Sequence, residues 1–115
     1  NESQVHENYK DMIIKARDID SRVTGRSTGH PVRALRNQMT KEYLKKEQEG
    51  ASFEDLELLT LGGLRKAVVD GDVKTGSVMA GQIAGMVKEK MSCHDLIQKL
   101  VKETDDLIGG KGFYE

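Results

Sequence analysis

Apolar residues recur along this chain with two periods, and the two predict different elements. Spacings of three and four mark helices; strict alternation marks a strand with one covered face. Tyr9, Met12, Ile13 and Ala16 predict a short helix from Asn8 to about Arg17, with Asn8 as its cap. Ile19, Ser21 and Val23 alternate with Asp20, Arg22 and Thr24, which predicts a strand over Ile19 to Thr24. Beyond the polar loop Gly25 to Gly29, Pro31 suits a first helical turn, and Val32, Leu35, Met39 and Tyr43 predict a helix from Pro31 to about Gln48. Ser52 with Asp55 imitates a capping box before Phe53, Leu56 and Leu59, and Gly62-Gly63 breaks or bends the stretch that Leu61, Leu64, Ala67 and Val68 continue. Ser92 and Asp95 repeat the spacing ahead of Leu96, Ile97, Leu100, Val101, Leu107 and Ile108, an amphipathic helix reaching Gly109-Gly110. A frayed tail is expected from Lys111 to Glu115.

Gly76 to Met86 differs from the other runs. Met79, Ile83, Met86 and Val87 share one side of a predicted helix, with Ala80, Gly81, Ala84 and Gly85 beside them. Glycines inside a helix cost roughly 1 kcal/mol each against alanine, so something should offset them. Two explanations are open: another helix packs closely, or a flat ligand lies against the helix start. Ser77, unpaired N–H groups and the positive end of the dipole would face such a ligand, and the polarizable Met79 suits a planar ring. Lys88, Glu89 and Lys90 follow at once, so the run is too short to span a membrane.

This pattern describes mainly α structure with at least one short β-strand, and a lone strand needs a sheet that the chain hardly supplies. Composition agrees, because 115 residues allow one core, yet aromatic residues make up only 4% and tryptophan is absent. Net charge is -1, which argues against general nucleic-acid or membrane binding. Residues 15 to 41 nevertheless hold seven basic side chains against Asp18 and Asp20, either a solvated face or a docking surface for an acidic or phosphorylated partner. The single cysteine, Cys93, excludes an internal disulfide and fits a reducing cytoplasm. The opening Asn1-Glu2-Ser3, without an initiator methionine, is expected of a processed or clipped product.

Little here is catalytic. His6, His30 and His94 are scattered, and with Cys93 they make no metal-ligand spacing. His30 reads as a capping or supporting residue, Asp70 and Asp72 as turn residues around Gly71, and no phosphate-binding glycine loop occurs.

The run Ser27-Thr28-Gly29-His30-Pro31-Val32-Arg33-Ala34-Leu35-Arg36-Asn37 carries a family resemblance. So do Gly71-Asp72-Val73, the stretch Gly76-Ser77-Val78-Met79-Ala80-Gly81-Gln82-Ile83-Ala84-Gly85, and the opening Glu2-Ser3 with His6 and Tyr9-Lys10. Together they resemble the C-terminal third of the FMN-dependent type II enoyl-acyl-carrier-protein reductases, within the nitronate monooxygenase superfamily. The resemblance implies the C-terminal cap portion of a (β/α)8 TIM-barrel flavoenzyme of bacterial fatty-acid synthesis. It would be a cytoplasmic homodimer in which NAD(P)H reduces FMN, and FMN reduces a trans-2-enoyl thioester on acyl carrier protein.

By the same resemblance residues 1 to 17 form the helix leaving the last barrel strand, 18 to 91 the cap, and 92 to 115 the return to the barrel. The catalytic residues belong to the barrel, so none is expected here, nor is a metal. Ser77, Val78, Met79, Ala80, Gly81 and Gln82 are expected to face cofactor and substrate, and Arg26, Arg33 and Arg36 to dock the acidic carrier. The alternatives are the cap of a nitronate monooxygenase and a helical interaction module without enzymatic activity.

Overall fold

The computed structural model describes residues 1–109, which are mainly helical with a small antiparallel sheet. Helix α1 (Glu7–Lys15) turns Tyr9 into the core, with Met12 and Ile13 packed against it. Its cap is His6 and not Asn8: the His6 Nδ1 accepts the Asn8 N–H at 3.0 Å, while the Asn8 amide donates to the Gly71 carbonyl at 2.9 Å. Strand β1 (Ser21–Thr24) falls inside its expected span.

Its partner lies in the same chain. Val32–Leu35 is strand β2, paired antiparallel with β1 from Ser21 opposite Leu35 to Thr24 opposite Val32. The helix expected from Pro31 therefore begins seven residues later, as α2 (Gln38–Gln48). Two local preferences explain the correction. Proline is as well suited to the head of a strand as to the head of a helix, and Val32-Arg33-Ala34 can alternate as easily as it can coil. The helix start is decided by Asn37, whose side chain accepts the Thr40 N–H at 2.9 Å while the Thr40 hydroxyl accepts the Asn37 N–H at 2.8 Å. The Asn37 amide also donates to the carbonyls of Val73 and Gly76, both at 2.8 Å, and so ties α2 to the loop before Ser77.

The second correction concerns Gly76 to Met86, which is not a helix. Residues 77–80 run extended along the free edge of β2: the Leu35 N–H donates to the Val78 carbonyl at 2.8 Å, and the Ala80 N–H to the Arg33 carbonyl at 3.2 Å. Ala34 and Met79 form an antiparallel bridge there. Only Ala84–Met86 coils, as a three-residue 3-10 turn. An extended path gives this backbone partners without the cost of helical glycines, and it leaves Met79, Ile83 and Met86 exposed rather than stacked on one buried stripe.

Helices α3 (Phe53–Thr60) and α4 (Gly63–Val68) meet at Gly62, whose positive φ of 70° makes the break that the glycine pair predicts. Ser52 caps α3 by accepting the Asp55 N–H at 3.3 Å. Two apolar clusters result. Tyr9, Leu35, Ala67 and Val78 centre the first, and Met39, Tyr43 and Leu56 the second. Each fully buried Leu or Val contributes about 1.5 to 3 kcal/mol.

Residues 4–88 form one compact unit; the other joins Asn1–Ser3 to the segment that starts at Glu89. In the latter, Ser92 caps α5 (Cys93–Leu107) by accepting the Asp95 N–H at 3.1 Å. Its apolar residues Leu96, Ile97, Leu100 and Val101 are all exposed. The tail expected to fray, 111–115, lies outside the described residues.

The small residues beside Met79 are not equivalent. A Cβ on Gly76 would lie 2.4 Å from the Asp72 carbonyl oxygen, and one on Gly85 2.7 Å from the backbone of Arg17 and Asp18, whereas one on Gly81 meets nothing within 4 Å. Urea unfolding should therefore find Gly76→Ala and Gly85→Ala destabilised by about 2 kcal/mol or more, and Gly81→Ala changed by less than about 0.5 kcal/mol. Equal losses at the three positions would contradict this packing.

Candidate functional site: a cleft beside Met79

The extended segment 77–80 sends successive side chains to opposite sides, as any strand does. Val78 is fully buried in the first cluster, while Ser77 and Met79 line an open cleft of about 330 Å³. Buried Met39 and Tyr43 of α2 also line it, and the more exposed Val32, Phe53, Leu64 and Met79 stand at its rim.

Met79 is held by its backbone and free at its side chain. The bridge to Ala34 fixes one side, and the Tyr9 hydroxyl donates to the Met79 carbonyl at 2.6 Å. Burial pushes the Tyr9 pKa up against the opposing pull of that bond, so the phenol remains a donor at neutral pH. Met79 as a residue keeps 42% exposure. A soft thioether on a pinned backbone is a suitable surface for a planar or acyl group.

Ser77 is buried against Gly63, and its N–H donates to the Gly63 carbonyl at 2.9 Å. The expected helix dipole and unpaired N–H groups at Ser77 are therefore absent, because that N–H is already bonded. Of the remaining expected residues, Ala80 is half-buried with its N–H bonded to Arg33, and Gly81 and Gln82 are exposed outside the cleft lining. The arginines divide between two surfaces. Arg26 and Arg33 border a depression with Val23 and Pro31, where the Arg33 guanidinium donates to Ser21 Oγ at 2.8 Å. Arg36 borders a different one, 3.7 Å from the Asp20 carboxylate.

Three cleft residues were read from the sequence as something else. Met39 and Tyr43 carry an ordinary core-facing spacing, and His30 a capping position. In the structure the His30 ring stands 4.9 Å from that of Phe53, tilted by 34°. No signal in the sequence separates a helix face that seals a core from one that borders an opening.

Glu47 holds the turn that carries His30. Its carboxylate accepts the Gly25 N–H at 3.0 Å, the Ser27 N–H at 3.2 Å and the Ser27 hydroxyl at 2.6 Å. The turn needs Gly25, at φ 82°, because a side chain there would collide with the His30 carbonyl.

The nitronate monooxygenase family matches residues 1–103, and this decides the classification. The chain belongs to that family. Among solved structures, FabK from Thermotoga maritima is similar over 90% of this chain and 33% of its own, at 38% identity and a TM-score of 0.84. A methionine-to-alanine variant of the same protein is similar over 92% and 31%, at 33% identity and a TM-score of 0.75. This chain of the nitronate monooxygenase family thus spans about a third of the solved structures it matches. No curated protein sequence matches it.

The cleft lining has two thioethers, apolar walls, hydroxyls, the His30 ring and the Glu57 carboxylate, but no lysine or arginine. It fits a flavin ring or an acyl chain and offers no lysine or arginine to a phosphate. Among the described residues no three His, Cys, Asp or Glu side chains group to hold a metal ion, and no helix is long and apolar enough to cross a membrane.

A pH test follows from Glu47. Burial opposes its ionisation, but the bonds from the Ser27 hydroxyl and from the Gly25 and Ser27 N–H groups outweigh it and hold its pKa below the ordinary 4.5. A carboxyl with a lowered folded pKa stabilises fully above its unfolded value and loses that contribution as pH falls through the folded one. Wild type should therefore exceed Glu47→Gln in stability from about pH 5 upward, and the two should converge in stronger acid. A constant difference from pH 3 to pH 7 would contradict the role given to this carboxylate.

Proposed function

We propose that this chain is the segment covering flavin and substrate in an FMN-dependent enoyl-acyl-carrier-protein reductase, whose barrel lies elsewhere in the same polypeptide. The observation that carries the reading is Met79: pinned by Ala34 and Tyr9, half exposed, and on the rim of an apolar cleft. Similarity to FabK over nine-tenths of the chain supports it.

When bound, FMN would supply hydride transfer from NAD(P)H to the β-carbon of a trans-2-enoyl thioester. The residues here bind and enclose. Met79 and Ser77 present the wall against which ring and acyl group lie, and the apolar rim of Val32, Phe53 and Leu64 keeps water from the reduced cofactor. In this reading the exposed apolar face of α5 returns to the barrel, and Arg26, Arg33 and Arg36 dock the acidic carrier.

The family match also supports a second reading, a nitronate monooxygenase. Full-length protein decides between them, since a reductase oxidises NAD(P)H when given crotonyl thioester and not when given a nitronate. Met79→Ala in that protein should lower kcat/KM for the thioester on the order of tenfold, about 1.4 kcal/mol, while Met79→Leu stays near wild type. An unchanged Met79→Ala would remove the wall role. Arg33→Glu should impair turnover of carrier-linked substrate and spare a short thioester; equal effects on both would remove the docking role.

A further inference from the structure

We infer that Tyr43 is a substrate-positioning residue whose hydroxyl donates a hydrogen bond to the carbonyl oxygen of an acyl group seated in the cleft. The inference rests on the enoyl-thioester reading above and deepens it.

The argument starts from an unpaired polar group. Tyr43 is 8% exposed, its ring packs with Met39 and Leu56, and its hydroxyl makes no hydrogen bond among the described residues. Sealing a hydroxyl without a partner would cost about 1 to 3 kcal/mol, so one that the chain leaves unbonded is placed where water or a ligand can reach it. No side-chain oxygen among the described residues is both sealed from solvent and unpaired, so the Tyr43 oxygen reaches an opening, and the opening that Tyr43 lines is this cleft. The hydroxyl end lies by the Gly25 turn, where a Cβ built on Gly25 would stand 3.5 Å from it.

Its surroundings make it a donor. Burial raises the Tyr43 pKa and the Glu47 carboxylate adds to the effect, so the phenol keeps its proton at neutral pH. Other hydroxyls in the lining are already committed: Thr24 donates to the Val32 carbonyl at 3.4 Å, and Thr60 to the Glu57 carbonyl at 3.2 Å. Ser77, also 8% exposed, is the other hydroxyl with no partner among the described residues. A largely apolar cleft with two such groups, lined also by the His30 ring and the Glu57 carboxylate, suits a ligand that is apolar along most of its length and bears few acceptors. The acyl part of an enoyl thioester has one strong acceptor, its carbonyl oxygen.

Tyr43→Phe tests this in the full-length protein, because it deletes one oxygen and keeps the ring that packs the core. Flavin reduction by NAD(P)H at the wild-type rate verifies that the variant is folded. The expected result is a kcat/KM for trans-2-hexenoyl thioester lowered about fivefold or more, because the carbonyl oxygen gains charge as hydride adds, and an unchanged inhibition constant for the hexyl thioether, which has no carbonyl. A structural role would weaken thioester and thioether together, and that result overturns the assignment, as does an unchanged kcat/KM. Wild-type protein that reduces its flavin but never turns over the thioester overturns the enoyl-reductase reading and this assignment with it.

Discussion

The arrangement depends on one edge pairing. Strand β2 offers hydrogen-bonding groups on the side that β1 leaves free, and residues 77–80 take them through Val78 and Ala80. A two-stranded ribbon is marginal in water, so this third extended segment is what makes the sheet a scaffold. It also sets direction. With the Val78 carbonyl bonded to Leu35 and Met79 opposite Ala34, one side chain must enter the core and the next must leave it.

Several contacts converge on that pairing. Asn37 binds the carbonyls of Val73 and Gly76 just ahead of the segment, Gly63 receives the Ser77 N–H, and Tyr9 closes on the Met79 carbonyl just beyond. Gly76 leaves no room for a Cβ among the backbones around it. The segment is therefore rigid in its backbone while one side chain stays available, the combination wanted of a wall that must meet a ligand in a fixed place. Glu47 does the same for the turn bearing His30 on the cleft's other lining.

Periodicity alone made α1 legible, its cap being His6 and not the expected Asn8, whereas α3 and α5 were legible in their caps as well, because Ser52 and Ser92 sit one residue before an apolar repeat. The same rules failed at Pro31 and Gly76 for one shared reason. Val32-Arg33-Ala34-Leu35 and Ser77-Val78-Met79-Ala80 satisfy helical and extended patterns equally; the first is extended by pairing with β1, and the second by pairing with the edge that the first leaves free. For residues 77–80 that choice is made by a contact more than forty residues away in sequence, which no local window contains. Ser77 and Met79 were expected to face a ligand from a helix start; no helix starts there, and the fold instead lines a cleft with both. Tyr43 did not stand out, since its spacing from Met39 is that of any core helix.

A crystal structure of the full-length protein with its flavin bound is the most direct measurement. The Met79 side chain should lie in van der Waals contact with the isoalloxazine or with a bound acyl thioester, and the cleft should open toward the cofactor. A flavin bound on another face, with Met79 and Tyr43 both turned to solvent or sealed under α5, would contradict the reading of this segment as its cover.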